Sequence, residues 1–217
     1  MRRVLNEEVV LSLLALLFAG VSPNVFPIAQ AGLAPMPVLA VRLLLPSLVG
    51  LAVVFVLAWV RGHARLAARM SAGVGAGLLA TIGLEAVRSV SFHFGGMPGD
   101  LPRLLGVLLT NRFMEGPSTV SDVLGYAYHF WNGASFGLIF AVLLGRKPLA
   151  WAAAYGELIG LGFLASPAVK AMGVGFMAVQ MPAMIVTVLA AHLVFGLVLG
   201  LLLRRWLHGG WLLAQRA

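Results

Sequence analysis

A chain of 217 residues that is 61% hydrophobic and only 10% charged, with a mean hydropathy of +0.99, is not a water-soluble globule. Soluble domains are roughly 45–50% apolar and about 25% charged, and one small core cannot hide the excess. The net charge of +8 sets bases beside apolar runs, where lipid headgroups rather than nucleic acid are the counter-charge; the absence of cysteine removes disulfides, thiolate metal sites and thiol redox chemistry.

The chain therefore reads as a single all-α domain over 1–217, a polytopic transmembrane helical bundle of about six spans. The first apolar run covers about 9–31 and contains Pro23 and Pro27, which predict a broken helix. Arg2 and Arg3 before it, and Ala29-Gln30-Ala31 at its end, resemble a cleavable leader, against which stand Glu7, Glu8 and the distance from the apolar stretch to that site. The second span covers 38–60 with Pro46 inside, and the third 70–94. A short apolar segment, 101–114, carries Arg103 and Arg112 and is too short to span, so it predicts an interfacial or re-entrant helix. Spans at 121–144, 149–169 and 181–203 follow. Ser118, Ser121 and Asp122 near the start of the fourth read as a helix cap.

Basic residues set the orientation. Arg2, Arg3, Arg61, Arg65, Arg69, Arg146, Lys147, Arg204, Arg205 and Arg216 fall on one side of six crossings. The other side keeps Arg103, Arg112 and Lys170 in its loops, with Arg42 and Arg88 in outer helix ends. Both termini are then cytoplasmic, and the outer loop lies near 94–120. His63 and His208 fall in basic flanks and read as solvated or headgroup-facing, while Trp151, Trp206 and Trp211 mark an interfacial belt.

Polar residues at membrane depth are the candidate site, because each must face protein or water and find a partner. Glu85 lies about 13 Å below the outer end of span three, and His129 and His192 fall within about 5 Å of it in depth. Arg88 is one turn above Glu85 on the same face, a spacing suited to an ion pair. Glu157 sits in the inner half of span five beside Gly156 and Gly160. His129 and His192 each begin a His-x3-Gly-x3-Gly stripe, through Gly133 and Gly137 and through Gly196 and Gly200. Such stripes let another helix, or a flat ligand, approach the backbone.

Four readings follow. Glu85, His129 and His192, with Arg88 and Glu157, suit a small transport protein or a proton or cation relay. Paired His129 and His192 on parallel helices suit the axial ligands of one haem b in an electron-transfer subunit. The arrangement resembles the haem helices of cytochrome b, but with one buried histidine per helix instead of two. His93, Met97, His129, His192 and Met181 form a soft imidazole and thioether set that suits copper. In the fourth reading the small-residue helices pack against other membrane subunits or a second copy, and the chain performs no chemistry. Gly73-x-Gly75-x-Gly77 lacks the strand and lysine of a phosphate loop, and no hydrolytic motif is present, which points away from an enzyme.

From Ser71 to Trp206 the chain resembles small bacterial inner-membrane proteins described only as domains of unknown function. The residues that carry the resemblance are Gly73, Gly75, Gly77 and the two His-x3-Gly-x3-Gly helices. It implies a multi-pass protein of the cytoplasmic membrane with the lipid bilayer as its surroundings, and it implies no mechanism.

Overall fold

A computed structural model describes residues 2–208. Trp211 and Arg216, and the side chains of Arg2 and Arg3, lie outside the described residues. The described chain forms helices α1 (Arg2–Gln30), α2 (Met36–Val60), α3 (Ala64–His93), α4 (Leu101–Leu109), α5 (Thr119–Leu143), α6 (Leu149–Leu164), α7 (Pro167–Ala171) and α8 (Pro182–Trp206). Among the described residues four of them, Glu7–Gln30 within α1, then α2, α3 and α8, are long and apolar enough to cross a membrane.

The prolines act differently from expectation. Pro23 and Pro27 lie inside an unbroken helix, because a neighbouring hydroxyl fills the turn they loosen. Tyr128 of α5 donates its O–H to the Ser22 carbonyl at 2.7 Å and accepts the Phe26 N–H at 3.2 Å. It thus stands in the gap between a donor and acceptor that a regular helix would join directly. In α2, Pro46 has no N–H, and its ring crowds the carbonyl four residues back. The preceding turn, Ala40–Leu44, widens into a π-helix in which the Leu45 N–H reaches the Ala40 carbonyl.

The helix expected as span five is shorter than predicted. Ser166 precedes Pro167, which pushes it to an extended conformation (ψ 155°), so α6 ends at Leu164 and Val169 belongs to α7. The segment expected at 101–114 is helical only to Leu109, and its Pro102, Leu105, Gly106 and Leu108 are buried against the bundle. The expected cap of α5 is present: Ser118 and Ser121 exchange side chain and backbone hydrogen bonds. Asp122 pairs instead with Arg103 of α4 at 3.2 Å, and holds that guanidinium above its ordinary pKa through the hydrogen bond.

α3 is the central helix, packed on one side against α5 and on the other against α8. α5 carries α4 and α1, α1 carries α2, and α8 carries α6. Glycines set the closest crossings. A Cβ at Gly73 would lie 2.7 Å from the Gly137 carbonyl, and one at Gly77 would strike the Gly133 carbonyl. Between α6 and α8, Gly156 faces the His192 carbonyl and Gly196 faces the Ala152 carbonyl. Between α4 and α5, Gly106 meets Gly125. Small residues let the backbones approach to this degree.

Glu7 near the start of α1 lies 3.6 Å from Arg61 and 3.8 Å from His63, so the start of α1 adjoins the α2–α3 turn. Arg69, read as part of that turn, lies within α3 and is 2% exposed. Its guanidinium donates to the Val142 carbonyl at 3.3 Å, where the last turn of α5 has unpaired carbonyls. His63, expected to be solvated, is buried, 6% exposed. His208, Trp151 and Trp206 are exposed, as their flanking positions suggest.

Candidate functional site

The site is built outward from α3. Glu85 and Arg88 are one turn apart, and they are 9% and 4% exposed. Arg88 Nε donates to Glu85 Oε1 at 2.7 Å and Nη2 to Oε2 at 2.6 Å, a two-pronged pair of the kind a planar guanidinium forms. The same Nη2 lies 3.2 Å from Asp100 Oδ1, on the turn that leads into α4. Asp100 also accepts from the Tyr126 hydroxyl of α5 at 3.4 Å. Arg88 thus joins three elements around one cation, while its Nη1 is buried without a hydrogen-bond partner.

His129 of α5 completes the cluster. Its Nε2 lies 2.9 Å from Glu85 Oε1, an ion-pair contact without the alignment of a hydrogen bond. Two helices therefore meet through a buried carboxylate and an imidazole beside it. The glycine crossing just below fixes this meeting, since Gly77 and Gly133 lie about two turns from Glu85 and one turn from His129 respectively.

The cluster forms part of the wall of a cavity of about 460 Å³. Arg88, His129, Asn132, Thr187 and His192 supply polar groups, and Leu84, Leu105, Phe136, Ile159 and Phe195 supply apolar ones. Glu85 does not line the cavity; its two partners do. His192 thus shares the chamber with His129, as expected from depth, but it is oriented by its own helix: Nδ1 lies 2.7 Å from the Val188 carbonyl, which can only accept. Glu157 is half-buried on α6, away from the cavity wall, and pairs with no group among the described residues.

The structure does not assemble the soft-metal set. His93 is exposed, with Nδ1 2.7 Å from the Ser89 carbonyl. Met97 and Met181 do share a cluster, but it is an apolar one with Leu164, Val169, Met184 and Val188. Among the described residues no group of three or more His, Asp or Glu is placed to hold a metal ion. The glycines that would make room for a haem ring are filled: Gly133 and Gly137 seat α3, and Gly196 and Gly200 seat α6.

Three contributors were not foreseen. Asp100, in Met97-Pro-Gly-Asp-Leu-Pro102, reads as a helix N-cap, yet its side chain makes no cap bond and turns to Arg88. Asn132 accepts from the Ser22 hydroxyl at 2.6 Å, tying α5 to α1 at the cavity. Its signal was present, since it lies nearly one turn beyond His129 in the same polar stretch. Tyr128 is the third, through its hydroxyl in the turn of α1. Tyr128→Phe is expected to lower stability by about 1 kcal/mol, the net worth of such a bond, in thermal unfolding of the detergent-solubilised protein. An unchanged transition would mean that α1 closes its own turn without help.

Comparison of the chain with family models, with curated proteins and with solved structures found no match.

Proposed function

We propose that the chain is a multi-pass membrane protein with six crossings and both ends in the cytoplasm, and that it works as a small transport or relay protein from the outer half of its bundle. For this reading α5 and α6 must also cross. α5 has 25 residues, and its polar groups turn toward α1, α3 and α4, so lipid meets little of them. α6 has 16 residues, about 24 Å of helix, and the short α7 follows it after the extended Ser166. The basic turns then gather on the inner side. A bacterial inner-membrane setting, and kinship with the small proteins that share the two His-x3-Gly-x3-Gly helices, belong to the same proposal.

The observation that carries the reading is the contact between His129 and Glu85 at 2.9 Å beside the cavity. The imidazole and the carboxylate are neighbours able to pass a proton between them, and Arg88 holds both carboxylate oxygens, Oε1 through Nε and Oε2 through Nη2. Below the pair, the glycine crossing and the apolar cluster of Ala76, Ala80 and Phe140 close the inner half. The exchange therefore runs between the pair and the outer side, or a molecule in the cavity, rather than straight through the bundle.

Proton uptake tests this. With the protein in nanodiscs, a dye-monitored pH jump across neutrality counts the protons bound per chain. Glu85→Gln and His129→Leu should each remove the same uptake step, and the double variant should remove no more than either. Independent losses, or none, would leave a scaffold whose small-residue faces pack with other subunits.

A further inference from the structure

We infer that the outer-half cavity is a lateral crevice for the acyl chain of a bilayer lipid, which enters between α1 and α6. The inference rests on the multi-pass reading alone and not on proton exchange by Glu85 and His129.

The opening comes first. Three residues of the wall are exposed, Asn24 on α1 and Leu158 and Gly162 on α6. These two helices share no packed interface. Asn24 and Leu158 each lie six residues before the outer ends of their helices, at Gln30 and Leu164, which is about 9 Å inside. A Cβ on Gly162 would meet nothing within 4 Å. Farther out the gap is closed, because α7 packs against α1 and buries Ala168 in one cluster with Val25 and Phe26. Met97, Leu101 and Leu105, from α4 and the turn before it, also belong to the wall, and none of them is exposed. The way in is therefore sideways, at a depth where hydrocarbon is the neighbour.

The wall selects the occupant. Its polar side chains are engaged with the protein and not offered to a ligand. Thr81 donates to the Gly77 carbonyl and Thr187 to the Ala183 carbonyl, both at 2.8 Å, and Tyr155 donates to the Phe136 carbonyl at 3.0 Å. Asn132 holds Ser22, while Arg88 and His129 turn to Glu85. The one Arg88 nitrogen without a partner, Nη1, is buried and has no surface open to the chamber. What is left to touch is mostly apolar. The wall residues farthest from the outer ends of their helices are Phe136, Tyr155 and Phe195, so the floor is aromatic. A charged or strongly hydrogen-bonding molecule would give up its partners here and find few in return, whereas a hydrocarbon chain gives up none. The volume of about 460 Å³ falls in the range that encloses a small organic molecule, and a chain inside it supplies the dispersion contacts that an unfilled wall forfeits.

The experiment places the full chain in phosphatidylcholine nanodiscs in which some of the lipid carries a diazirine midway along one acyl chain. Adducts formed on illumination are mapped by peptide mass spectrometry. Leu17 and Val53 are exposed on α1 and α2 and report contact with surrounding lipid. Leu84 and Phe195 are buried and line the chamber, so a chain reaches them only from inside it. Both pairs should be labelled. Gly162→Trp places a large side chain at the opening and leaves the ion pairs untouched. It should lower labelling of Leu84 and Phe195 at least tenfold, with Leu17, Val53 and the unfolding transition unchanged. Ile159→Trp, which fills the chamber from α6, should do the same. A diazirine on the headgroup should label neither chamber residue. Three results would overturn the crevice and leave the multi-pass reading standing: labelling of Leu17 and Val53 alone, chamber labelling undiminished in both variants, or chamber labelling by the headgroup probe or only by a free aliphatic diazirine. Labelling at no site would overturn both. The proton-uptake count is a separate readout, and neither result decides the other.

Discussion

Arg88→Leu is expected to destabilise the purified protein by about 3–5 kcal/mol, the usual consequence of removing one partner from a buried ion pair. The cause is less the lost attraction than what remains. Glu85 is 9% exposed, and without the guanidinium it would keep only His129 beside it. Asp100 is affected too, because its Oδ1, the oxygen that faces Arg88, is itself buried even though the side chain as a whole is 22% exposed. The informative companion is Glu85→Leu with Arg88→Leu. Replacing both members of a buried pair by apolar side chains is often neutral or stabilising, so the double variant should recover most of the loss. Denaturant unfolding in mixed micelles, run on both singles and the double, measures the coupling. A double variant as unstable as Arg88→Leu would show that the cluster acts through Asp100 and the α3–α4 junction, not through the pair.

Gly77→Leu should cost about 3 kcal/mol or more, the upper end of overpacking penalties. The reason is geometric: the first added carbon would already strike the Gly133 carbonyl, with the Ala134 Cα 2.9 Å away, and a backbone cannot rotate aside as a side chain can. α3 and α5 would separate where they hold Glu85 against His129, so the proton uptake described above should fall with stability. Gly20 on α1 supplies the control. A Cβ there meets nothing within 4 Å, and Gly20→Ala should be neutral or stabilising by about 0.5–1 kcal/mol, the helix-interior difference between the two residues. Equal effects at the two positions, read by thermal unfolding, would show that helix propensity and not backbone contact governs both.

Much of the cluster was legible because membrane depth and helix period are properties of the chain itself. The Glu85–Arg88 pair was suggested by spacing, while matched depth made a meeting of Glu85 with His129 an expectation that only the packing of α3 on α5 decides. The occupant of the glycine stripes was not legible, since a flat surface suits a helix and a ring equally; the structure places helices on both. Asp100 was hidden because a residue before Leu-Pro and a helix looks like a cap, and only the fold shows which cation lies in reach. Proline rules predicted a break in α1 that a hydroxyl from a residue a hundred positions away prevents. The end of span five was marked by Ser166-Pro167, yet the apolar residues beyond it carried the hydropathy past the stop. His63 shows the same limit: a basic flank describes its neighbours in sequence and not the Glu7 that covers it.

The uneven polarity of the helices bears on how the chain reaches its membrane. α3 brings its carboxylate and guanidinium already joined within one turn, so it can leave the insertion machinery with its charges neutralised locally. α5 has no such internal remedy: His129 and Asn132 find their partners on α3 and α1, and it is not among the four helices apolar enough to cross on composition. If α5 crosses as proposed, biogenesis has an order, in which the earlier helices must wait alongside until α5 arrives to be escorted into the bilayer.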